Sequence, residues 1–190
     1  MKELVIYGAG GNAKVVIDMA RLLGWSISGL VDPGMLPGSD ILSCKVIAED
    51  EIEARGFHSV FIAIGNNDIR WREYKRLIEL GFDSPSLIHP SAIVANSAAI
   101  GAGSAIMAGA VIQAAARIGE AVIVNTSASI DHDCELADGA FVGPGALLCG
   151  GVKLGKKAFI GAGVIITPNT EVPPRSFVKA GSRLSPGSFT

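Results

Sequence analysis

The second half of the chain obeys a six-residue rule. Stepping by six from Ile88 through Val94, Ile100 and Ile106 to Leu184 gives 17 positions, and every one is Ile, Leu or Val. Four residues after each, from Ala92 to Ser182, stands only Ala, Ser, Thr, Val or Cys. A period of six is neither the 3.6 of an amphipathic helix nor the 2 of a simple strand. It is the hexapeptide signature of a parallel β-helix, in which short strands turn at fixed corners. Three hexads make one triangular coil, so residues 88–183 form a little over five coils. The aliphatic and small positions face inward and stack coil on coil, and no insertion interrupts them.

The first part has another rhythm. Glu3–Tyr7 reads as a strand, and Gly8-Ala9-Gly10-Gly11 as a tight turn. Asn12–Leu23 has helical spacing and stops at Gly24. Ser26–Val31 and Val60–Ile64 read as further strands, Ile69–Leu80 as a second helix, and Ser86–Ile88 as a fourth strand leading into the prism. Alternating strands and helices predict a small parallel sheet with crossover helices. The expected organisation is an α/β, Rossmann-like domain over residues 1–85, then an all-β parallel β-helix over 86–190.

Composition follows from this pattern. Among 190 residues there are 24 glycines, with only 18% charged and 6% aromatic side chains. A narrow prism admits aliphatic and small residues and has no room inside for Phe or Trp. The run from Ser84 to Ala116 has no charge, but Pro85, His89, Pro90, Asn96 and Gln113 break it, which argues against a membrane span. The opening MKELVIYGAGG runs straight into a glycine turn and lacks a signal-peptide layout. A net charge of −2 gives no basic field to recruit nucleic acid. Three cysteines without metal-like spacing favour a reducing, cytoplasmic setting.

Candidate chemistry gathers at two places. Gly8, Gly10 and Gly11 lie between a strand and a helix, where backbone N–H groups favour an anion such as phosphate. Asp32 ends the second strand about 20 residues on, where an acid could meet a ribose or base. The plain alternative is that these glycines merely close a tight turn. In the prism, His132 lies in Asn125-Thr126-Ser127-Ala128-Ser129-Ile130-Asp131-His132-Asp133-Cys134. Ile130 and Cys134 point inward there, so His132 faces out between two carboxylates. A carboxylate beside an imidazole orients the ring and supports its protonated form, as a general base requires. One coil on stand Gly150-Gly151, which leave a notch and two backbone N–H groups expected to bind an oxyanion. His58 and His89 read as structural or surface residues. Six of the seven charges between Lys153 and Arg183 are basic, so that end of the prism is suited to coenzyme phosphates. With only His89 and His132 in the prism half, no metal site is expected.

Taken in order, Gly8-Ala9-Gly10-Gly11, Asp32, Ala63-Ile64-Gly65-Asn66-Asn67, Leu87-Ile88-His89-Pro90 and Asn125-Thr126 to His132-Asp133 resemble the hexapeptide-repeat sugar acetyltransferases. This is the family of sialic acid O-acetyltransferases and UDP-4-amino-sugar N-acetyltransferases, and the similarity covers essentially the whole chain. The resemblance implies a left-handed β-helix, a homotrimer, and acetyl-CoA lying in the cleft between neighbouring subunits. It implies a UDP-amino-sugar held by Gly8, Gly10, Gly11, Asn12, Asp32, Gly65 and Asn66, with Asn125 near the acceptor. His132 matches the general base and Asp133 its partner. Gly150, Gly151, Lys156 and Gly161 are expected along the coenzyme. One departure stands out: the family's glycine turn usually continues with His, and here it continues with Asn12. O-acetylation of a sugar hydroxyl and a non-enzymatic scaffold or sensor remain the alternatives.

Overall fold

The computed structural model of the chain describes residues 2–189. They fall into two compact units that divide between Leu87 and Ile88, two residues beyond the predicted join. In the first unit β1 (Lys2–Tyr7) is the middle of a three-stranded parallel sheet. It is flanked by β2 (Trp25–Val31) and by Val60–Ile62, the fifth strand in chain order. Leu4, Val5 and Ile6 of β1 have no exposed surface, as expected of a central parallel strand covered on both faces. Between β1 and β2 runs α1 (Gly11–Leu22), which buries Ala13, Val16, Ile17, Met19 and Ala20 at helical spacing. It ends before Gly24, whose φ of 77° suits glycine.

Between β2 and the third sheet strand lie a hairpin, β3 (Asp40–Ile41) with β4 (Cys44–Lys45), and a short helix, α2 (Asp50–Ala54), none of them foreseen. The third sheet strand, β5, stops at Ile62 rather than Ile64, because Ala63–Asn66 turn away before α3 (Asn67–Glu79). Leu87–Ile88, within the Ser86–Ile88 strand expected to lead into the prism, pairs into it as its first rung.

The second unit is a parallel β-helix of two-residue strands. Each strand pairs with its counterpart one coil on, as Ile112 with Ile130 and Ile130 with Leu148. This yields three sheets, one per face of the prism. The first face contains Ile123–Val124 and Phe141–Val142, the second Ser129–Ile130 and Leu147–Leu148, the third Glu135–Leu136 and Lys153–Leu154. Inward residues stack on their own kind, so Ile112, Val124, Ile130, Val142 and Leu148 have no exposed surface. Each such aliphatic contributes roughly 1.5–3 kcal/mol relative to exposure.

From Gly103 onward the corners are two-residue turns with one rule. The second residue takes a left-handed conformation, as at Ser127 (φ 56°), Asp133 (φ 59°), Gly151 (φ 71°) and Asn169 (φ 57°). In the central coils its N–H reaches back to the turn one coil earlier: Asp133 to the Ala114 carbonyl, Gly151 to that of His132, Asn169 to that of Gly150. The first turn residue takes no part as a donor in this ladder. Pro144, Pro168 and Pro174 sit at that position, where a missing N–H costs nothing.

The outward columns of the faces differ. On the first face Phe141, Phe159 and Phe177 stack ring on ring, with centroids 4.7 and 5.1 Å apart. On the second, Ile93, Val111, Leu147 and Ile165 form an aliphatic stripe around Ser129. On the third, Arg117, Glu135, Lys153 and Glu171 alternate in charge. The corner between the first two faces carries small residues, such as Thr126-Ser127, Pro144-Gly145 and Ala162-Gly163. Among the described residues no helix is long and apolar enough to cross a membrane.

Candidate active site

His132 is the first residue of the turn between the second and third faces. Its side chain is 61% exposed, because the hexad puts Ile130 and Cys134 inside and the turn outside. The chain arranges the ring from three directions. Asp131 Oδ1 accepts from the His132 backbone N–H at 2.7 Å and fixes the turn's entry. Asp133 Oδ2 stands 2.8 Å from His132 Nδ1, so Nδ1–H donates to the carboxylate and Nε2 keeps its lone pair. Gly150, one coil on, provides the floor. A Cβ built there would lie 2.6 Å from the ring Cε1 and 2.7 Å from Nε2, a distance no side chain tolerates. The hydrogen bond that His132 donates to Asp133, with the charge of Asp131 behind it, raises the pKa of His132 above the ordinary histidine value.

The notch is narrower in donors than the sequence suggests. Of the two amides expected to face an oxyanion, that of Gly151 is taken: it donates to the His132 carbonyl at 2.9 Å, as the corner rule demands. The Gly150 N–H occupies the first turn position, outside that ladder, and among the described residues it has no acceptor. One donor therefore stands beside the imidazole, not two.

Other predicted residues are scattered. Asn125 lies at the far end of the second face from His132, and its Oδ1 accepts from the Thr126 N–H at 2.8 Å. Lys156 sits at the corner between the third and first faces, 3.6 Å from Asp138. Gly161 is small for packing: a Cβ there would stand 2.5 Å from the Ala180 nitrogen. Cys134 is buried with its Sγ 3.2 Å from the Cys149 carbonyl, and burial pushes its thiol pKa up. His89 caps its own turn, its Nδ1 accepting from the Ser91 N–H. A groove of about 480 Å³ runs along the third face of the prism past Arg117, Glu135, Lys153 and Glu171. It excludes His132, and its charges answer one another, with Lys153 and Glu171 3.9 Å apart. Among the described residues no group of His, Cys, Asp or Glu could hold a metal ion.

In the first unit the glycine turn is built at the carboxyl ends of β1 and β5. Gly8 adopts φ 111°, and a Cβ there would meet Ile64 Cγ1 at 3.0 Å and the Ala63 carbonyl oxygen at 3.1 Å. Asp32 closes the turn from the other side: Oδ2 accepts from the Ala9 N–H at 2.8 Å, and Oδ1 from the Gly34 N–H at 2.9 Å. Gly10 caps α1 without a side-chain hydrogen bond, and the first turn of α1 has no acidic residue. That helix end is open to an anion. Asn12 Nδ2 is buried and has no acceptor among the described residues. Asn66 caps α3, its Oδ1 accepting from the Asp68 and Ile69 amides at 3.0 Å, so only its Nδ2 donors remain. Sequence reasoning passed over Arg70, whose fully buried guanidinium lies against this loop. Its pKa is pulled down to about 9 by burial, which leaves it charged at neutral pH.

A hexapeptide-repeat β-helix with an exposed, carboxylate-braced histidine over a glycine notch fits the class of hexapeptide-repeat acyltransferases. Known proteins narrow this. Residues 3–77 match the family described as the PglD N-terminal domain. The UDP-N-acetylbacillosamine N-acetyltransferase of Bacillus subtilis is 36% identical over 112 residues, which is 56% of this chain and 52% of that protein. The chain thus spans about half the length of this curated relative. PerB of Caulobacter crescentus, solved with CoA and GDP-perosamine, superposes with a TM-score of 0.91 at 35% identity, covering 98% of this chain and 92% of that one. The acetyltransferase domain of PglB from Neisseria gonorrhoeae, solved with acetyl coenzyme A, gives 0.89 at 36% identity, covering 97% and 93%. The chain belongs to the family of hexapeptide-repeat acetyltransferases that includes PerB and the PglB domain.

Proposed function

We propose that the protein transfers an acetyl group from acetyl-CoA to the 4-amino group of a UDP-linked amino-dideoxy sugar, in the cytoplasm. The observation that carries this reading is the His132–Asp133 pair above Gly150. In a ternary complex the neutral amine attacks the thioester carbonyl. His132 Nε2 takes the amine's proton as the C–N bond forms, and Asp133 supports the imidazolium. The Gly150 N–H faces the developing oxyanion. The C–S bond then breaks, and the proton passes from His132 to the departing thiolate. The open end of α1, Asn12, Asp32 and the Gly65–Asn66 loop supply donors and an acid suited to the nucleotide part. A UDP acceptor is favoured by the Bacillus subtilis relative, whose name carries a UDP-linked sugar. GDP-perosamine bound to PerB makes a guanosine-linked sugar the second reading.

The faces of the prism support a homotrimer. In a threefold ring the small-residue corner fits the axis, and the aliphatic second face of one copy turns toward the aromatic first face of the next. Exposed apolar columns on two faces are a liability in a monomer. The cleft between copies would then run from His132 of one subunit toward the corner carrying Lys156 on its neighbour, a track for coenzyme phosphates. Leu147→Glu, in the middle of the aliphatic stripe, should dissociate the trimer in sedimentation velocity and abolish transfer. An unchanged, active assembly would rule out this packing.

Two measurements test the chemistry. A thiol-release assay with acetyl-CoA and a panel of UDP- and GDP-linked amino sugars should show turnover with a 4-amino sugar. Turnover only with free sialic acid or another hydroxyl acceptor would replace the assignment by O-acetylation, and no thiol release with any acceptor would favour the scaffold reading. The pH profile tests the base. A neutral imidazole is required, so kcat should fall as pH drops through the raised His132 value. Asp133→Asn removes the hydrogen bond that raises it, so the acid limb should move to lower pH while the plateau falls. An unmoved limb would exclude His132 as the titrating group.

A further inference from the structure

The loop that follows β5 is held from behind by a buried cation. Arg70 is 1% exposed. One guanidinium nitrogen donates to the carbonyls of Ile64 (3.0 Å) and Gly65 (3.1 Å), and another to Asn67 Oδ1 (2.8 Å). In a planar trans peptide the N–H points opposite to the carbonyl. Turning the Ile64 and Gly65 carbonyls inward therefore turns the N–H groups of Gly65 and Asn66 outward. Both residues are exposed, and among the described residues neither of these amides has an acceptor.

The placement is specific. Gly8 packs directly on Ala63 and Ile64, so the two outward amides share one edge of the sheet with the glycine turn and the open end of α1. A neutral side chain could hold two carbonyls with far less desolvation than a guanidinium, since burying charge is costly even when it is hydrogen-bonded. What the charge adds is a positive potential behind two donors that already face outward. Such a pair suits an anionic oxygen.

We infer that Arg70 is a positioning residue of the acceptor site, aiming the Gly65 and Asn66 amides at the diphosphate of the nucleotide sugar. The inference rests on the acceptor reading above. It concerns binding of the acceptor alone, not the acyl transfer at His132.

The test compares the full-length wild type with Arg70→Lys and Arg70→Met in steady-state acetyl transfer. The KM for the nucleotide sugar should rise at least tenfold in Arg70→Met and less in Arg70→Lys, which keeps the charge but not the fork. The KM for acetyl-CoA and the kcat at saturating acceptor should stay within about threefold of wild type, the range expected when only ground-state binding is lost. Changes in both KM values, or a fall in kcat with KM unchanged, would make Arg70 a structural residue and overturn the inference. A wild type that shows no saturation with any nucleotide sugar would instead overturn the acceptor reading. A second measurement needs no variant. Amide NMR of the wild type, titrated with inorganic diphosphate and with UDP, should shift the Gly65 and Asn66 resonances ahead of those elsewhere in the unit. Absence of such shifts under saturating UDP would sink the proposal even if neither variant folds.

Discussion

Replacing His132 by alanine should lower kcat by about 10²–10⁴-fold, the usual worth of a positioned general base. The fold has no stake in this side chain. It is mostly exposed, and its backbone bonds, from the Gly151 N–H and to Asp131, survive the change. Thermal denaturation should therefore be nearly unchanged, and acetyl-CoA should still bind. Thiol release measured at saturating substrates separates the outcomes. Activity within tenfold of wild type would remove His132 from the chemistry, and would leave the notch with no base in reach.

Gly150→Ala should be almost as damaging, for a geometric reason. Its added methyl would sit 2.6–2.7 Å from the imidazole Cε1 and Nε2. The ring must swing off its seat, and with it goes the Nδ1 bond to Asp133. A misplacement of about 1 Å in a reacting group costs on the order of 10²-fold. Gly150 itself does not need a left-handed backbone, so the coil should still form. Gly151 is the useful contrast. Alanine there meets a φ of 71° and the Asn169 side chain, Oδ1 at 2.5 Å, so its effect should appear in stability as well. Equal kcat for Gly150→Ala and wild type would contradict the seat that the glycine provides for the ring.

The prism was legible because its rule is repeated at every hexad. Ile112, Ile130 and Leu148 lie on top of one another, so each inward position states the same constraint once per coil. His132 was legible by subtraction, since Ile130 and Cys134 claimed the inward positions. The commitment of the Gly151 amide needed three-dimensional register, because its acceptor, the His132 carbonyl, belongs to the preceding coil. The first unit shows less of itself. The Asp40–Lys45 hairpin has two residues per strand and α2 has five in all, too few for any period to emerge. Val60–Ile64 looks like one apolar strand, but the chain turns at its end and the Ile64 carbonyl faces Arg70. An arginine on an otherwise mixed helix reads as a surface residue until its burial is known. Asp32 and Asn66 were identified as polar positions, but their oxygens also do local work, closing the glycine turn and capping α3.

The stacking of the prism also orders its motions. Each coil touches only the coil before and the coil after it, so loosening spreads inward from the two ends as it does in other solenoids. The turn of His132 lies in the third of five coils, with hydrogen-bonded rungs on both sides. Amide protons there should be among the slowest in the prism to exchange with solvent, even though the imidazole is one of its most exposed side chains. The turn is thus stationary while its imidazole is wet, and fraying of the outer coils can proceed without disturbing the distance between Nε2 and the Gly150 floor.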